Sequence, residues 1–409
     1  MLTSLVDCAR KVTAVAIDEA NTGLATLNEA IHSHPELCYE ETFAHATLCD
    51  YLESRGFKIT RHAYGIDTAF EAEAGSGGRL VIICAEYDAL PGMGHGCGHN
   101  LIATSSVAAA VGAARALKEL GVAGRVRVLG TPAEEGGGGK VKLLEAGAFT
   151  KTEGDDGSVV AAAIMCHALP LHQLKDGWTG VAGFRTLASR RFQVEFFGKN
   201  AHAGQEPWNG VNALDAAVGA YMSVSMLRQQ IRPDDRVQSV IEDGGKQPNI
   251  IPDYTRMNWG LRSLSIARVD SLYAQVKECI NGAARAAGCT VNFIPSSPYI
   301  ELRVNNTLCE EYIHEMGLLG EKIQFLEDQH SSAGTDMGNV SHAVPSLHGI
   351  FGIPTPRGVP VHHRDFATAS ATTEAHDAAI RAGKGLAMLC FKLLVDSDIA
   401  ARAAADFVM

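Results

Sequence analysis

The stretch Leu80-Val81-Ile82-Ile83-Cys84-Ala85-Glu86-Tyr87-Asp88-Ala89-Leu90-Pro91-Gly92-Met93-Gly94-His95-Gly96-Cys97-Gly98-His99-Asn100 decides the fold. Its first six residues are an unbroken apolar run, as expected of a strand buried on both faces of a sheet. A glycine-rich loop follows and carries Cys97 and His99 two residues apart. Glycine lets the backbone turn tightly enough to aim both side chains at one point. Thiolate and imidazole suit Zn²⁺ and its neighbours. A Cys-x-His pair alone is a weak signal, so the reading depends on further donors.

Three more segments supply them. Thr131-Pro132-Ala133-Glu134-Glu135-Gly136 follows a second strand-like run, Arg125 to Gly130. Two adjacent carboxylates ending a buried strand are costly unless a cation or a proton offsets them. Met165-Cys166-His167 ends a third apolar run, Val159 to Ile164, and Val361-His362-His363-Arg364-Asp365-Phe366 lies near the C-terminus. Cys, His, Glu, His and His at strand ends or loops are enough donors for two metal ions.

At this point the chain resembles the M20 family of metallopeptidases, in its amidohydrolase subfamily D. The resemblance runs through Ile31-His32-Ser33-His34-Pro35-Glu36-Leu37, Glu40-Glu41, Tyr87-Asp88-Ala89-Leu90-Pro91, Gly-Cys-Gly-His-Asn and Pro-Ala-Glu-Glu-Gly-Gly-Gly-Gly-Lys. It continues through Gly198-Lys199-Asn200-Ala201-His202-Ala203, Asn249-Ile250-Ile251-Pro252, Thr335-Asp336-Met337-Gly338-Asn339-Val340-Ser341 and the His362 segment. Asn100 and the run Gly136–Gly139 are similar to the branch that holds β-alanyl-lysine dipeptidase and the p-aminobenzoyl-glutamate hydrolase subunits.

The resemblance implies roles. Cys97, His99, Glu135, His167 and His362 would hold two divalent metal ions, Zn or Mn, with Glu134 as general base. Cys97 stands where many members have a bridging Asp, which makes a bridging thiolate an option. His362 and His363 compete for one place, and the family's spacing to Phe366 selects His362. Asp88 would orient a metal ligand. His95, also in the glycine loop, is read from its position alone, as a loop histidine lining the entrance in preference to a ligand. His202 would stabilise the oxyanion, often at the partner subunit's site, and Asn249, Arg262, Gly334 and Thr335 would contact substrate. Gly334 stands where Ser is common.

The chain's 409 residues exceed one ordinary core, so two domains are expected. Residues 1–185 and 301–409 read as an α/β metal-binding catalytic domain, a mixed sheet with helices on both faces. Residues 186–300 follow a β-α-β-β-α-β order, which is ferredoxin-like. By resemblance this inserted α+β segment is a lid and dimerisation domain, and the protein a homodimer. A net charge of −11 argues against a nucleic-acid partner or an anionic membrane surface. No run reads as a membrane span, and Met1 to Asn21 reads as an amphipathic helix instead of a signal peptide, with further helices over Ala25 to His32, Thr42 to Arg55 and Ser105 to Leu120 and a final one over Thr373 to Val395. Ten cysteines without a framework spacing fit a reducing, cytoplasmic setting.

The expected activity is hydrolysis of an amide bond in a dipeptide or N-acyl amino acid. The same site used for amide formation, or a metal-stabilised binding subunit without turnover, are the alternatives. Glu134 and the full donor set count against the second.

Overall fold

The computed structural model describes residues 2–150, 160–326 and 331–408. The chain divides into two compact units. One comprises Met1–Arg185, Leu302–Gln329 and Asp336–Met409, and the other Thr186–Glu301 and His330–Thr335.

The first unit begins with helices α1 (Leu2–Ser33) and α2 (Thr42–Ser54). Strands β1 (Lys58–Arg61), β2 (Phe70–Ser76) and β3 (Leu80–Ala85) follow, then α3 (His99–Leu120), β4 (Gly124–Gly130), α4 (Gly139–Glu145), β5 (Val160–Pro170) and β6 (Gly180–Ala182). The second unit holds β7 (Ala188–Phe197), α5 (Ala213–Met226), β8 (Arg236–Asp243), β9 (Tyr254–Ser263), α6 (Ile266–Ala287) and β10 (Thr290–Pro295). The first unit then resumes with α7 (Asn306–Leu318), β11 (Ile323–Phe325), α8 (Met337–Ser341), β12 (Ser346–Ile353), α9 (Arg364–Ser370), α10 (Thr373–Val395) and α11 (Ser397–Val408).

The first unit is built on a mixed eight-stranded sheet in the order β1-β2-β4-β3-β5-β12-β6-β11. Its centre, β4-β3-β5-β12, is parallel. Every residue of β3 and β4 is buried. Alternation splits β3 between two cores, with Val81, Ile83 and Ala85 facing α1, α3 and α10. Leu80, Ile82 and Cys84 face a second cluster that includes Met165, Val340 and Ile350. A strand apolar at both parities is therefore apolar without interruption, as its sequence is.

Helix α3 is packed through small residues. A side chain at Gly112 would meet Thr13 and Ile17 of α1 within 3 Å, and one at Gly383 would meet Ala108 at 2.8 Å. Among the described residues α3 is the helix long and apolar enough to cross a membrane, and 89% of its most apolar window is buried inside the chain. Its apolarity therefore serves the core.

Several boundaries differ from the sequence reading. Helix α1 runs unbroken through Asn21-Thr22-Gly23, where the sequence suggests two helices. Helix α3 starts at His99, six residues before the expected start at Ser105. Strand β5 continues to Pro170, so His167 lies within it and not at its end. Val159 lies outside the described residues. Helix α11 follows α10, the helix read as the last.

The second unit is a four-stranded antiparallel sheet in the order β10-β7-β9-β8. Phe192, Val194 and Phe196 of β7 and Met257, Trp259 and Leu261 of β9 pack with α5 and α6. The strict alternation of burial along β9 reflects a sheet covered on one face.

Candidate metal centre and its supporting ion cluster

The first unit gathers six of the candidate side chains. Cys97 comes from the glycine loop, and His99 is the first residue of α3 behind the left-handed Gly98. Glu134 and Glu135 follow β4, His167 projects from β5, and His362 follows β12. Three sets of donor atoms each lie within 4.8 Å of one another: Cys97 with His99 and His167; Cys97 with Glu135 and His362; and His99 with Glu134 and Glu135. Cys97 Sγ is 3.3 Å from His167 Nε2, and His362 Nε2 is 3.2 Å from Glu135 Oε1. Separations of this size suit donors that share a cation.

Two backbone positions at the site, one of them a donor's, are strained. Ala133, just before the Glu pair, has φ +60°, and His362 has φ +61°. Non-glycine residues adopt this left-handed region only where the surroundings hold them there. Ala133 N–H donates to Glu41 Oε1 at 2.8 Å, and His362 N–H donates to the Gly96 carbonyl at 2.7 Å. Asp88 ties two donors together. Its Oδ1 accepts from His99 Nδ1 at 3.0 Å, and its Oδ2 accepts from the Glu135 backbone N–H at 2.9 Å.

The electrostatics call for a cation. His99 Nε2 is fully buried and has no hydrogen-bond partner among the described residues, where the nearest carboxylate oxygen, Glu86 Oε2, is 3.5 Å away. Burial, followed by the charges of Glu86, Glu135 and Asp336, holds the Glu134 carboxyl well above the carboxylate range. Burial also pushes Glu135 up, but His362 and His99 outweigh it and bring Glu135 down to about 2. Burial, then the Glu135 charge, keeps Cys97 a neutral thiol, which a divalent cation beside it would convert to thiolate. A borderline-soft S, N and O donor set with an unpaired buried nitrogen fits a metal pair.

A buried ion cluster adjoins the donors. Lys140, at the start of α4, places Nζ 2.5 Å from Glu86 Oε1 and 2.6 Å from Asp336 Oδ1. All three side chains are within 1% of complete burial. Burial lowers the lysine, but Asp336 and Glu86 outweigh it and hold the ammonium charged. The sequence reading missed Glu86 and the role of Lys140, because the partners lie 54 and 196 residues from the lysine. It also missed His348 on β12, which is buried with neither ring nitrogen partnered among the described residues.

Two histidines near the site have other work. His363 accepts from Asp365 N–H and caps α9. His95 is buried and donates through Nε2 to the Ile31 carbonyl at 3.1 Å, so it fastens the loop to α1 and does not line an entrance.

The other candidates belong to the second unit. His202 is exposed and bridges to Ile250, and its Nδ1 accepts from Gly204 N–H at 3.1 Å. Asn249 is the residue before Ile250, with its carbonyl accepting from Ala203 N–H. Arg262 Nη1 donates to the Ser332 carbonyl at 2.8 Å, beside Gly334 and Thr335. It has no acidic partner among the described residues.

Residues 82–381 match the sequence profile of Peptidase family M20/M25/M40. The chain belongs to this family. Among M20 relatives, the Xaa-Arg dipeptidase of Mus musculus is 38% identical over 408 residues, covering 95% of this chain and 90% of that protein. One of the p-aminobenzoyl-glutamate hydrolase subunits of Escherichia coli is 32% identical over 294 residues, covering 68% of this chain and 58% of that protein. The fold recurs in a dinuclear metal binding M20 peptidase of Bacillus subtilis, with a TM-score of 0.63, 21% identity and 92% and 99% coverage. It recurs also in an aminobenzoyl-glutamate utilization protein of Klebsiella pneumoniae, with a TM-score of 0.70, 18% identity and 92% and 97% coverage.

Proposed function

We propose that this M20 chain is a two-metal amidohydrolase that cleaves an amide bond in a dipeptide or N-acyl amino acid. The observation that carries the reading is the convergence of Cys97, His99, Glu135, His167 and His362 into overlapping donor sets beside Glu134. The dinuclear peptidase of the same fold supports two ions, and the donor types suit Zn or Mn. When bound, such ions lower the pKa of water toward about 7 and polarise an amide carbonyl.

The chain's own groups do the rest. Glu134, whose carboxyl is held high, takes a proton from the attacking water and passes it to the leaving amine. Asp88 fixes His99 in the tautomer that turns Nε2 toward the donors. His202 donates to the developing oxyanion, and its Nδ1 contact with Gly204 leaves Nε2 for that purpose. Arg262, with Asn249, Gly334 and Thr335, holds the substrate's carboxylate. An arginine with no acidic partner among the described residues, fastened to a neighbouring turn, supports that role.

A homodimer through the second unit completes the reading. Helix α5 exposes Val218, Tyr221, Met222 and Met226, and the edge strand β8 exposes Val240 and Ile241. An apolar helix face beside an open strand edge is suited to a second copy. Ten free cysteines support a reducing, cytoplasmic setting.

The test is an assay of purified, metal-loaded protein against a panel of dipeptides and N-acyl amino acids. Xaa-Arg dipeptides come first, given the relatives' names. Hydrolysis that chelation abolishes and added metal restores is the expected result. Absence of turnover on the whole panel would count against the reading.

A further inference from the structure

Glu41 takes no part in the reaction steps above, yet its side chain is completely buried. Burying a carboxyl costs free energy that an apolar group of the same size would not. Glu41 stands at the N-cap position of α2, but its side chain does not cap that helix. Glu36 does so instead, its two carboxylate oxygens accepting from the Phe43 and Ala44 N–H groups at 2.9 and 3.0 Å. Glu41 Oε1 instead accepts from the Ala133 N–H at 2.8 Å, 92 residues away in sequence.

Ala133 is a residue that needs holding. Its φ of +60° is unfavourable for any side chain with a Cβ, and Glu134 and Glu135 come next in the chain. A turn about that bond swings both carboxylates. Glu41 does not act alone. Tyr39, itself at φ +64°, donates from its hydroxyl to the Gly137 carbonyl at 2.7 Å, and Cys38 Sγ is 3.6 Å from the Glu135 carbonyl oxygen. Residues 38–41 therefore grip the chain on both sides of the Glu pair. The glycine run fits this grip. A side chain at Gly137 would meet the Ala133 Cβ at 2.6 Å and Tyr39 at 3.0 Å, and one at Gly139 the Pro132 carbonyl oxygen at 1.7 Å.

We propose that Glu41 is a positioning residue: its hydrogen bond holds Ala133 in the left-handed conformation that directs Glu134 and Glu135 into the donor cluster. This rests on the amide-hydrolase reading above for what the two carboxylates do, and names the residue that sets their direction.

Three variants test it, with kinetics at saturating metal on whichever substrate of the panel is cleaved fastest. Glu41→Gln keeps an acceptor for the Ala133 N–H and should hold kcat within about threefold of wild type. Glu41→Leu removes the acceptor and should lose about ten- to a hundredfold in kcat with KM nearly unchanged, the scale of a misplaced reacting group. Adding Ala133→Gly to Glu41→Leu should recover at least about fivefold, because glycine takes a positive φ without help. Crystal structures of the metal-free variants give a readout apart from activity. Ala133 should keep its positive φ in Glu41→Gln and leave it in Glu41→Leu. Ala133 unmoved in Glu41→Leu, a loss carried by KM, equal losses in the glutamine and leucine variants, or no recovery in the double variant would overturn the assignment. Should Glu41→Leu not fold, the double variant decides: folded and active, it supports the role, and otherwise it refutes it. Wild-type protein that cleaves nothing sinks the hydrolase reading, while the conformation of Ala133 in the variants still decides whether Glu41 holds it.

Discussion

Asp88 Oδ1 accepts a hydrogen bond from His99 Nδ1 at 3.0 Å, and that contact decides which ring nitrogen faces the donor cluster. The second carboxylate oxygen holds the backbone beneath Glu135. Asp88→Asn should therefore weaken metal binding by about 10- to 100-fold, the usual cost of losing a partner that orients a ligand. Calorimetric titration of the chelated protein measures it. Unchanged affinity would remove Asp88 from this role.

Glu134→Gln should keep the fold and the bound metal while losing about 10²–10⁴-fold in kcat. Elemental analysis and melting temperature check the first half, and steady-state kinetics the second. Near wild-type turnover would show that another group moves the proton.

Arg262→Ala should weaken hydrolysis of a substrate with a free C-terminal carboxylate by about ten- to a hundredfold in kcat/KM. The matching C-terminal amide should be cleaved slowly by wild type and almost equally slowly by the variant. Parallel losses on both substrates would mean that the arginine's tie to Ser332 matters for structure and not for the carboxylate.

His202→Ala and Glu134→Gln, each inactive alone, should regain activity when unfolded together and reassembled if His202 serves the partner's site. Sedimentation of the wild type establishes the dimer independently. A fully active monomer excludes the dimer, whereas a proven dimer without complementation excludes only the action across subunits.

Away from the site, His45 gives a pH signature. Burial, then the nearby His62 and Arg61, lowers it from 6.5 to about 4 in the folded chain. Above pH 6.5 both folded and unfolded forms are neutral there, so the group adds no pH dependence. Between 6.5 and about 4 the unfolded chain takes up a proton that the folded chain refuses, and stability falls as pH falls. The melting temperature of His45→Phe should therefore gain on wild type as pH drops from 7 to 4.5. A constant difference across that range would contradict the buried neutral state.

The sheet and the donor set are legible in the sequence because both leave local marks. Runs such as Leu80–Ala85 are apolar at every position, and glycine, Cys, His and adjacent Glu are rare enough together to be noticed. The start of α3 is not legible. Gly98 precedes it in a left-handed conformation with no side-chain cap, so His99 and Asn100 read as loop. Gly23 reads as a break in α1, yet a side chain there would press on Tyr51 and Arg55 of the α2 region, so it serves close packing inside a continuous helix. The Glu86–Lys140–Asp336 cluster has no local signature, because its members meet only through the fold. His348 is hidden in an apolar strand for the same reason.

That cluster bears on the order in which the site is assembled. Lys140 is a cation on a covalent tether, and no chelator can withdraw it. The carboxylates of Glu86 and Asp336 keep their counter-charge whether or not metal is supplied. Repulsion released by metal loss therefore falls on the Glu134–Glu135 side, at the end of β4, while the lysine side stays closed. In a chain short of metal the lysine still offsets part of the negative charge beside the donors, and the Glu pair is where a supplied ion has its effect.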